Sequence, residues 1–145
     1  MNKPLHDEDF YTWAHEQAAL ARRRDAAGLD WEHVAEELEV MGNEVARALT
    51  SAYRILSTHL LKWIYQPLRR SRSWRTSIIN ARSDIELILH DNPGVKSRAD
   101  DLFLRGYERA RRLAQAETGM PIKRFPVAPP FSREQAEDDE FWPDA

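Results

Sequence analysis

The sequence predicts an all-α protein: a helical bundle of about four main helices, followed by a proline-rich C-terminal segment and a short acidic terminal helix. Apolar residues recur at intervals of three or four along most of the chain, which is the period of a helix with one buried face. Residues that cap or stop helices separate these apolar stretches. No stretch shows the two-residue alternation of apolar and polar residues that is typical of a strand. We therefore expect one shared core.

The first two predicted helices lie before residue 67. Asp7 or Asp9 can cap the first helix, whose apolar face begins at Phe10 and Trp13. Asp30 can cap the second helix in the same way, because its side-chain oxygen can accept from N–H groups of the first turn. The inward face of the second helix is predicted to begin with Trp31, Val34, Leu38 and Met41.

The apolar stripe of the second helix continues to Trp63, and Pro67 ends the helix. An unbroken helix of that length is about 50 Å long at 1.5 Å per residue, which is longer than a domain of this size is wide. We therefore expect a kink or break at Gly42-Asn43, where the glycine lowers helix propensity.

Ser71 or Ser73 can cap the third predicted helix, and the turn-forming Asn92-Pro93-Gly94 separates it from the fourth. Gly119 stops the fourth helix. Small residues at the centre of the fourth helix would let a neighbouring helix approach closely. The inward face of this helix is predicted to be Val95, Ala99, Leu102, Gly106, Ala110 and Leu113.

The C-terminal segment is predicted to run along the bundle. Residues 120–130 contain four prolines, and Phe125 and Phe131 are expected to anchor them. Ser132 and Gln135 have the spacing of a capping box, so a short acidic helix near residues 133–141 should follow. The predicted organisation is a single helical domain over residues 1–145, with a core of about 8–119 and a C-terminal wrap of 120–145.

The composition excludes several classes of chemistry. Without cysteine the chain has no disulfide, thiolate zinc site or thiol nucleophile. It also lacks the Gly-x-Ser-x-Gly and glycine-rich phosphate motifs, so the sequence argues against an enzyme and indicates no cofactor. Its first residues lack the apolar stretch of a secretory signal, and no apolar run approaches the ~20 residues of a membrane span. We predict a cytoplasmic protein.

Charge is segregated along the chain. Residues 1–66 hold 7 basic against 11 acidic side chains, residues 67–124 hold 13 against 7, and residues 125–145 hold 1 against 6. The basic stretch could attract an anionic partner, but we favour the alternative that the acidic tail lies across the basic helices. A pI near 6.0 argues against a dedicated nucleic-acid-binding domain.

The junction of the second and third helices is the candidate binding site. We call it the arginine-aromatic corner, and its residues are Trp63, Tyr65, Arg70, Arg72 and Trp74. Arginines before a helix are disfavoured by the partial positive charge of its N-terminus, whereas an anion there would be bound by backbone N–H groups and guanidinium groups together. The structural alternative, which we favour for the arginines, is pairing with the chain's own carboxylates and stacking on its indole rings.

A metal site is a second, weaker candidate. Helical bundles bind metals through carboxylates and Glu-x-x-His pairs, but this sequence contains no such pair. The residues that could act as ligands are His33, Glu36, Glu37 and His59.

Five motifs of mixed aromatic, charged and proline residues lie in the range from Asp9 to Pro143. They are Asp9-Phe10-Tyr11-x-Trp13, Glu36-Glu37-x-Glu39-x-Met41-Gly42, His59-Leu60-Leu61-Lys62-Trp63-x-Tyr65-Gln66-Pro67-x-x-Arg70-Ser71-x-Ser73-Trp74, Glu117-Thr118-Gly119-Met120-Pro121 and Phe125-Pro126. On these motifs the chain resembles the bacterial family named domain of unknown function number twenty-nine. The resemblance implies an intracellular bacterial helical bundle and supplies no reaction, cofactor or catalytic residues.

The function predicted from these features is a non-catalytic helical binding or adaptor domain that uses the arginine-aromatic corner. One alternative is a metal-dependent enzyme with histidine and glutamate ligands, and another is anion or nucleic-acid binding by the basic turn at residues 69–75. The expected partner is a protein or a small anionic ligand. Apolar helix faces in bundles often pair across a two-fold axis, so a homodimer is a further expectation.

Overall fold

The computed structural model describes residues 4–144, and every regular element in that range is helical. The all-α fold class is confirmed, as is the expectation of four main helices, α2 to α5. Short 3-10 helices at Pro67–Arg69, Pro93–Arg98 and Ile122–Arg124 lie between the α-helices. The helices are α1 (Leu5–Glu8), α2 (Phe10–Arg22), α3 (Trp31–Tyr65), α4 (Arg72–Asp91), α5 (Ala99–Thr118) and α6 (Arg133–Glu137).

Side-chain caps set several helix ends. Asp9 accepts from the Thr12 N–H at the start of α2, and Ser71 accepts from the Trp74 N–H at the start of α4. The predicted capping box of Ser132 is present, although α6 is shorter than expected. Helix α1 was not predicted, because four residues are too few to show a helical period.

Helix α3 is continuous over 35 residues, so of the kink or break predicted at Gly42-Asn43 the break is wrong, and the kink stays a prediction. A glycine costs a helix interior only about 1 kcal/mol, which the flanking apolar turns can offset. The chain nevertheless divides into two compact units at this point, since the first ends at Asn43 and the second begins at Glu44.

In the first unit, α1 and α2 pack against Asp30, which precedes α3, and against the face of α3 that carries His33 and Glu37. Trp13 is the buried residue of α2. The predicted inward positions Trp31, Leu38 and Met41 are instead 61%, 61% and 62% exposed, so that prediction is wrong. The physical reason is that α1 and α2 use aromatic and polar side chains to cover the adjacent face.

The core of the second unit joins the later part of α3 to α4 and α5. Gly106 lets α5 approach α3 closely, because a Cβ there would lie 2.9 Å from the Thr50 carbonyl oxygen. Ala114 fills the inward position at which Leu113 was expected, and Leu113 is 37% exposed. The large apolar and aromatic side chains that are completely enclosed in this unit are Leu49, Tyr53, Leu56, Leu60, Leu61, Ile78, Ile85, Tyr107 and Phe125.

The C-terminal segment packs into the same core. Phe125 and Phe131 are buried, as predicted, and Ala136 of α6 is buried with them. None of the helices described in residues 4–144 is long and apolar enough to cross a membrane.

Candidate functional site

The arginine-aromatic corner forms where α3 ends and α4 begins. Trp63 and Tyr65 belong to the last turns of α3, and Trp74 belongs to the first turn of α4. Pro67 removes a helical N–H and starts a 3-10 turn, and Ser71 then caps the new helix. Local sequence therefore brings the predicted residues together at one junction.

Arg70 is bound by its own chain. Its Nε donates to the Trp63 carbonyl oxygen at 2.9 Å, and its Nη2 donates to the Pro143 carbonyl oxygen at 3.1 Å. The guanidinium carbon lies 4.8 Å from the centre of the Trp63 ring, and a 3.4 Å ion pair joins Nη1 to the exposed Asp144. Arg70 therefore holds the C-terminal segment and is not free for an external ligand.

The predicted aromatic residues are also engaged inside the second unit. Trp63 packs on Trp142 with a ring-centre distance of 5.1 Å, and Tyr65 meets Phe125 edge-on at 5.5 Å. Lys62 lies 4.8 Å above the Trp74 ring. These rings anchor the C-terminal segment and cover the end of α3, which leaves little aromatic surface for a partner.

The open part of the corner is basic. Arg69, Arg72 and Arg75 are exposed, and no carboxylate within residues 4–144 forms an ion pair with them. The first turn of α4 carries no acidic residue, so its partial positive charge is also uncompensated. Leu68 beside them is completely exposed. We call Leu68, Arg69, Arg72 and Arg75 the open basic edge.

A shallow groove of about 450 Å³ continues from this edge. Arg75 stacks over the Trp142 ring at 4.4 Å and lines the groove together with Asp139 and Glu140. Charges of both signs therefore line the groove, and Ile79 adds an apolar side chain. Ser83 and Glu86 complete its polar lining.

Arginines hold the C-terminal segment through its backbone. Arg82 is 3% exposed, and it donates from Nε to the Ala136 carbonyl oxygen at 2.7 Å and from Nη2 to that of Phe141 at 2.6 Å. Arg111 donates from Nη2 to the Phe125 carbonyl oxygen at 2.9 Å. The predicted covering of basic helices by the tail thus occurs through backbone carbonyls more than through carboxylates.

Sequence reasoning missed the role of Arg82, although one signal was present. Arg82 stands four residues after Ile78 and three before Ile85, on the inward face of α4. A charged residue at such a position must find polar partners when it is buried. Burial lowers the pKa of the Arg82 guanidinium, which nevertheless stays charged.

The first unit contains a second cluster, around His6. Its Nε2 lies 2.6 Å from Glu37 Oε1, and its Nδ1 lies 2.9 Å from Asp7 Oδ1. The His6 ring stacks on His33 at 4.2 Å with an angle of 15° between planes. Hydrogen bonds to Asp7 and then Glu37 raise the pKa of His6, with a smaller opposing effect of burial.

The predicted metal ligands are only partly brought together. Within residues 4–144, the one group of at least three candidate ligands is His6, Asp7 and His33, whose donor atoms lie within 4.8 Å of one another. Glu36 and His59 do not belong to it, and His59 Nδ1 lies 2.9 Å from the Ile55 carbonyl oxygen. His6 was overlooked because α1 was not predicted.

These features define an all-α domain whose basic face binds its own C-terminal segment and which presents no recognisable catalytic constellation in the described residues. The chain belongs to the family described as domain of unknown function DUF29, whose family model matches residues 5–142. This membership confirms the resemblance that the sequence motifs indicated. No curated protein and no solved structure matches the chain.

Proposed function

We propose that the protein is a non-catalytic binding domain whose open basic edge docks an acidic segment of a partner protein. The observation that supports this most strongly is the group of exposed arginines, Arg69, Arg72 and Arg75, without acidic partners in residues 4–144. Guanidinium groups bind carboxylates with two parallel hydrogen bonds, and a helix N-terminus adds backbone N–H donors.

The exposed Leu68 favours a protein partner over a free anion. Its side chain extends from the 3-10 turn with no covering residue, between the end of α3 and the exposed arginines. An apolar anchor surrounded by charged groups is typical of a protein-protein contact, in which the charges steer the encounter. A small anion would make no use of Leu68.

The experiment is photo-crosslinking in cells with a photoreactive amino acid in place of Leu68. The matched control places the same group at Val127, which is also exposed and apolar, at 82% against 101% for Leu68. We expect one dominant protein adduct from position 68 and none of the same mass from position 127. Equal adduct patterns at the two positions, or no adduct at position 68, would count against the proposal.

The charge requirement is tested in the same assay. Arg69→Gln/Arg72→Gln should abolish the adduct at position 68, because it removes two exposed guanidinium groups that form no ion pair within residues 4–144. Arg105→Gln/Arg112→Gln removes the same charge from exposed arginines paired with Asp101 and Glu108, so it is the control. Arg70→Ala is unsuitable, since Arg70 binds the Trp63 and Pro143 carbonyls.

Binding of an anion or a nucleic acid by the basic turn is the competing outcome. Titration of a labelled short DNA duplex would then give an affinity that falls steeply with salt as counterions are released. Our proposal expects weak binding to the duplex that does not depend on Leu68.

We place this function in the cytoplasm of a bacterial cell, with support from the absence of cysteine, which fits a reducing compartment.

A second copy of this chain is the other partner we propose. Trp31, Val34, Leu38 and Met41 follow the three-four spacing of a coiled-coil seam, and three of them are more than 60% exposed. We expect sedimentation equilibrium to show a dimer that Leu38→Glu dissociates. The control is Leu87→Glu, because Leu87 is 60% exposed on α4 outside any such seam. A wild-type protein that stays monomeric at high concentration would overturn this second proposal.

A further inference from the structure

We propose that residues 141–144 cover a binding site, which the partner's acidic segment enters with an aromatic residue of its own in place of Trp142. This inference rests on the proposed function, because the same partner segment extends from the open basic edge into the covered site. Arg75 joins the two areas, since it belongs to the open basic edge and its guanidinium carbon lies 4.4 Å from the centre of the Trp142 ring. The covered site consists of the side chains that hold this end of the chain, which are Trp63, Arg70, Arg75 and Arg82.

The chain's own end shows which ligand chemistry fits the covered site. The Trp142 ring packs on Trp63 at 5.1 Å between ring centres, and the guanidinium carbons of Arg75 and Arg82 lie 4.4 Å and 5.1 Å from its centre. Residues 138–140, which come shortly before this ring, are all acidic. Indole rings attract guanidinium groups through their faces, and carboxylates attract them through paired hydrogen bonds. An aromatic residue next to an acidic stretch is therefore the segment that this site accepts.

The resident end leaves two donors of the covered site unpaired. Trp63 Nε1 and Arg82 Nη1 are both buried, and neither has a hydrogen-bond acceptor within residues 4–144. A buried donor without an acceptor is costly, because it has lost its hydrogen bonds to water and gained none in return. A partner segment that presents a carboxylate or carbonyl oxygen to either donor gains a hydrogen bond that the resident end does not make.

The residues that cover the site are the least enclosed part of the C-terminal segment. Phe131 and Ala136 are buried in the core, at 3% and 0% exposed. Residues 141–143 are only half-buried, and the Asp144 side chain is 96% exposed. Local opening is easiest where few side chains are buried. We therefore expect the end of the segment to leave the site while α6 stays in place.

The resident end is also a competitor, because it is tethered beside the site. A segment on a short tether acts at an effective concentration on the order of millimolar. A free segment with the same contacts therefore binds poorly, and a partner needs contacts that the resident end lacks. The open basic edge supplies them, since Arg69 and Arg72 form no ion pair within residues 4–144. Binding is thus restricted to partners that carry both an acidic stretch and an aromatic residue.

The probe is a fluorescently labelled peptide with the sequence of residues 137–144, titrated into the full-length protein and followed by anisotropy. Binding to wild type should be weak, and binding to Trp142→Ala should be roughly tenfold tighter or more, because this variant removes the tethered ring. The same peptide with alanine in place of its tryptophan should lose this gain. Trp31→Ala is the control, since Trp31 is 61% exposed in the first unit, and it should bind the peptide as wild type does.

Asp144→Lys keeps the inference testable if Trp142→Ala does not fold. Asp144 is 96% exposed and forms a 3.4 Å ion pair with Arg70, so reversal of its charge should loosen the resident end without disturbing the core. Peptide affinity should then rise roughly two- to fivefold. Equal peptide affinity in wild type, Trp142→Ala and Asp144→Lys, or a gain that does not need the tryptophan of the peptide, would overturn the inference. The proposed function fails separately, through a missing adduct at position 68.

Discussion

At the scale of single residues, Arg82 shows how backbone carbonyl groups accommodate a buried charge. Its guanidinium meets the carbonyl oxygens of Ala136 and Phe141, and it stacks 5.1 Å from the centre of the Trp142 ring. Carbonyl groups carry partial negative charge, so two of them can replace a carboxylate at lower cost in desolvation. Arg82 therefore connects α4 to two separate points of the C-terminal segment.

Replacement of Arg82 by alanine should destabilise the protein by roughly 3 kcal/mol, because it leaves two carbonyl groups unpaired and removes the contact with Trp142. Urea unfolding followed by circular dichroism measures the change. Arg112→Ala is the control, since Arg112 is 72% exposed and pairs only with Glu108. We expect Arg112→Ala to change the free energy of unfolding by less than about 0.5 kcal/mol. Similar effects of the two variants would contradict this account of Arg82.

His6 gives a pH dependence with a definite sign. Asp7 and Glu37 raise the pKa of His6 in the folded state, so its ion pairs stabilise the fold fully below about pH 6.5 and this stabilisation is lost as the pH rises through the raised pKa. In a buffer with chelator, wild type should exceed His6→Gln in stability at about pH 5.5–6.5, and the difference should shrink toward about pH 8.5. Urea unfolding across this range measures it, and a difference that grows with pH would contradict the prediction.

At the scale of helices, two glycines that both lie in helix interiors, Gly42 in α3 and Gly106 in α5, have opposite roles. Gly106 faces α3 at a distance that leaves no room for a methyl group, whereas a Cβ at Gly42 would meet nothing within 4 Å. We expect Gly106→Ala to destabilise the protein by roughly 2 kcal/mol or more, because the clash is with backbone atoms. Gly42→Ala should stabilise it by about 0.5–1 kcal/mol through helix propensity alone. Thermal unfolding of the two variants checks both signs.

The helices themselves were largely predictable, because their determinants are local. Ser132 and Gly119 lie at helix ends as their capping and stopping chemistry predicts, and Asp9 and Ser71 are each one of the two caps that the sequence offers. The predicted break in α3 failed because a size argument was applied to a helix whose first part extends into a separate compact unit. A periodic stripe reports that a face is apolar, and it cannot report whether another helix covers that face.

At the scale of the whole molecule, the candidate site was predictable only as a region. Arginine and aromatic residues are dense at residues 63–74, and Trp63, Tyr65 and Arg70 make specific contacts there. Their partner in the structure is the C-terminal segment of the same chain. The contact between Arg70 and Pro143 joins residues that are far apart in the chain, so no local sequence pattern reveals it. Only the structure shows which residues of the arginine-aromatic corner bind the C-terminal segment and which stay open.

Removal of the C-terminal segment tests this division. A chain ending at Phe131 loses the carbonyl partners of Arg82 and Arg70 and the ring that packs on Trp63. We expect it to be less stable than the full chain and to bind a labelled polyglutamate peptide more tightly, with an affinity that falls as salt is added. Fluorescence anisotropy measures the binding, and the full chain is the reference. An unchanged affinity would show that the segment does not shield the basic face.

The way in which arginines hold the C-terminal segment also bears on how freely this part of the sequence can vary. Arg70, Arg82 and Arg111 make most of their contacts with peptide oxygens, which every amino acid provides. Side chains at the exposed positions between these oxygens can therefore be exchanged through evolution while the attachment persists. A family built in this way could diversify the surface beside the open basic edge and keep one backbone path.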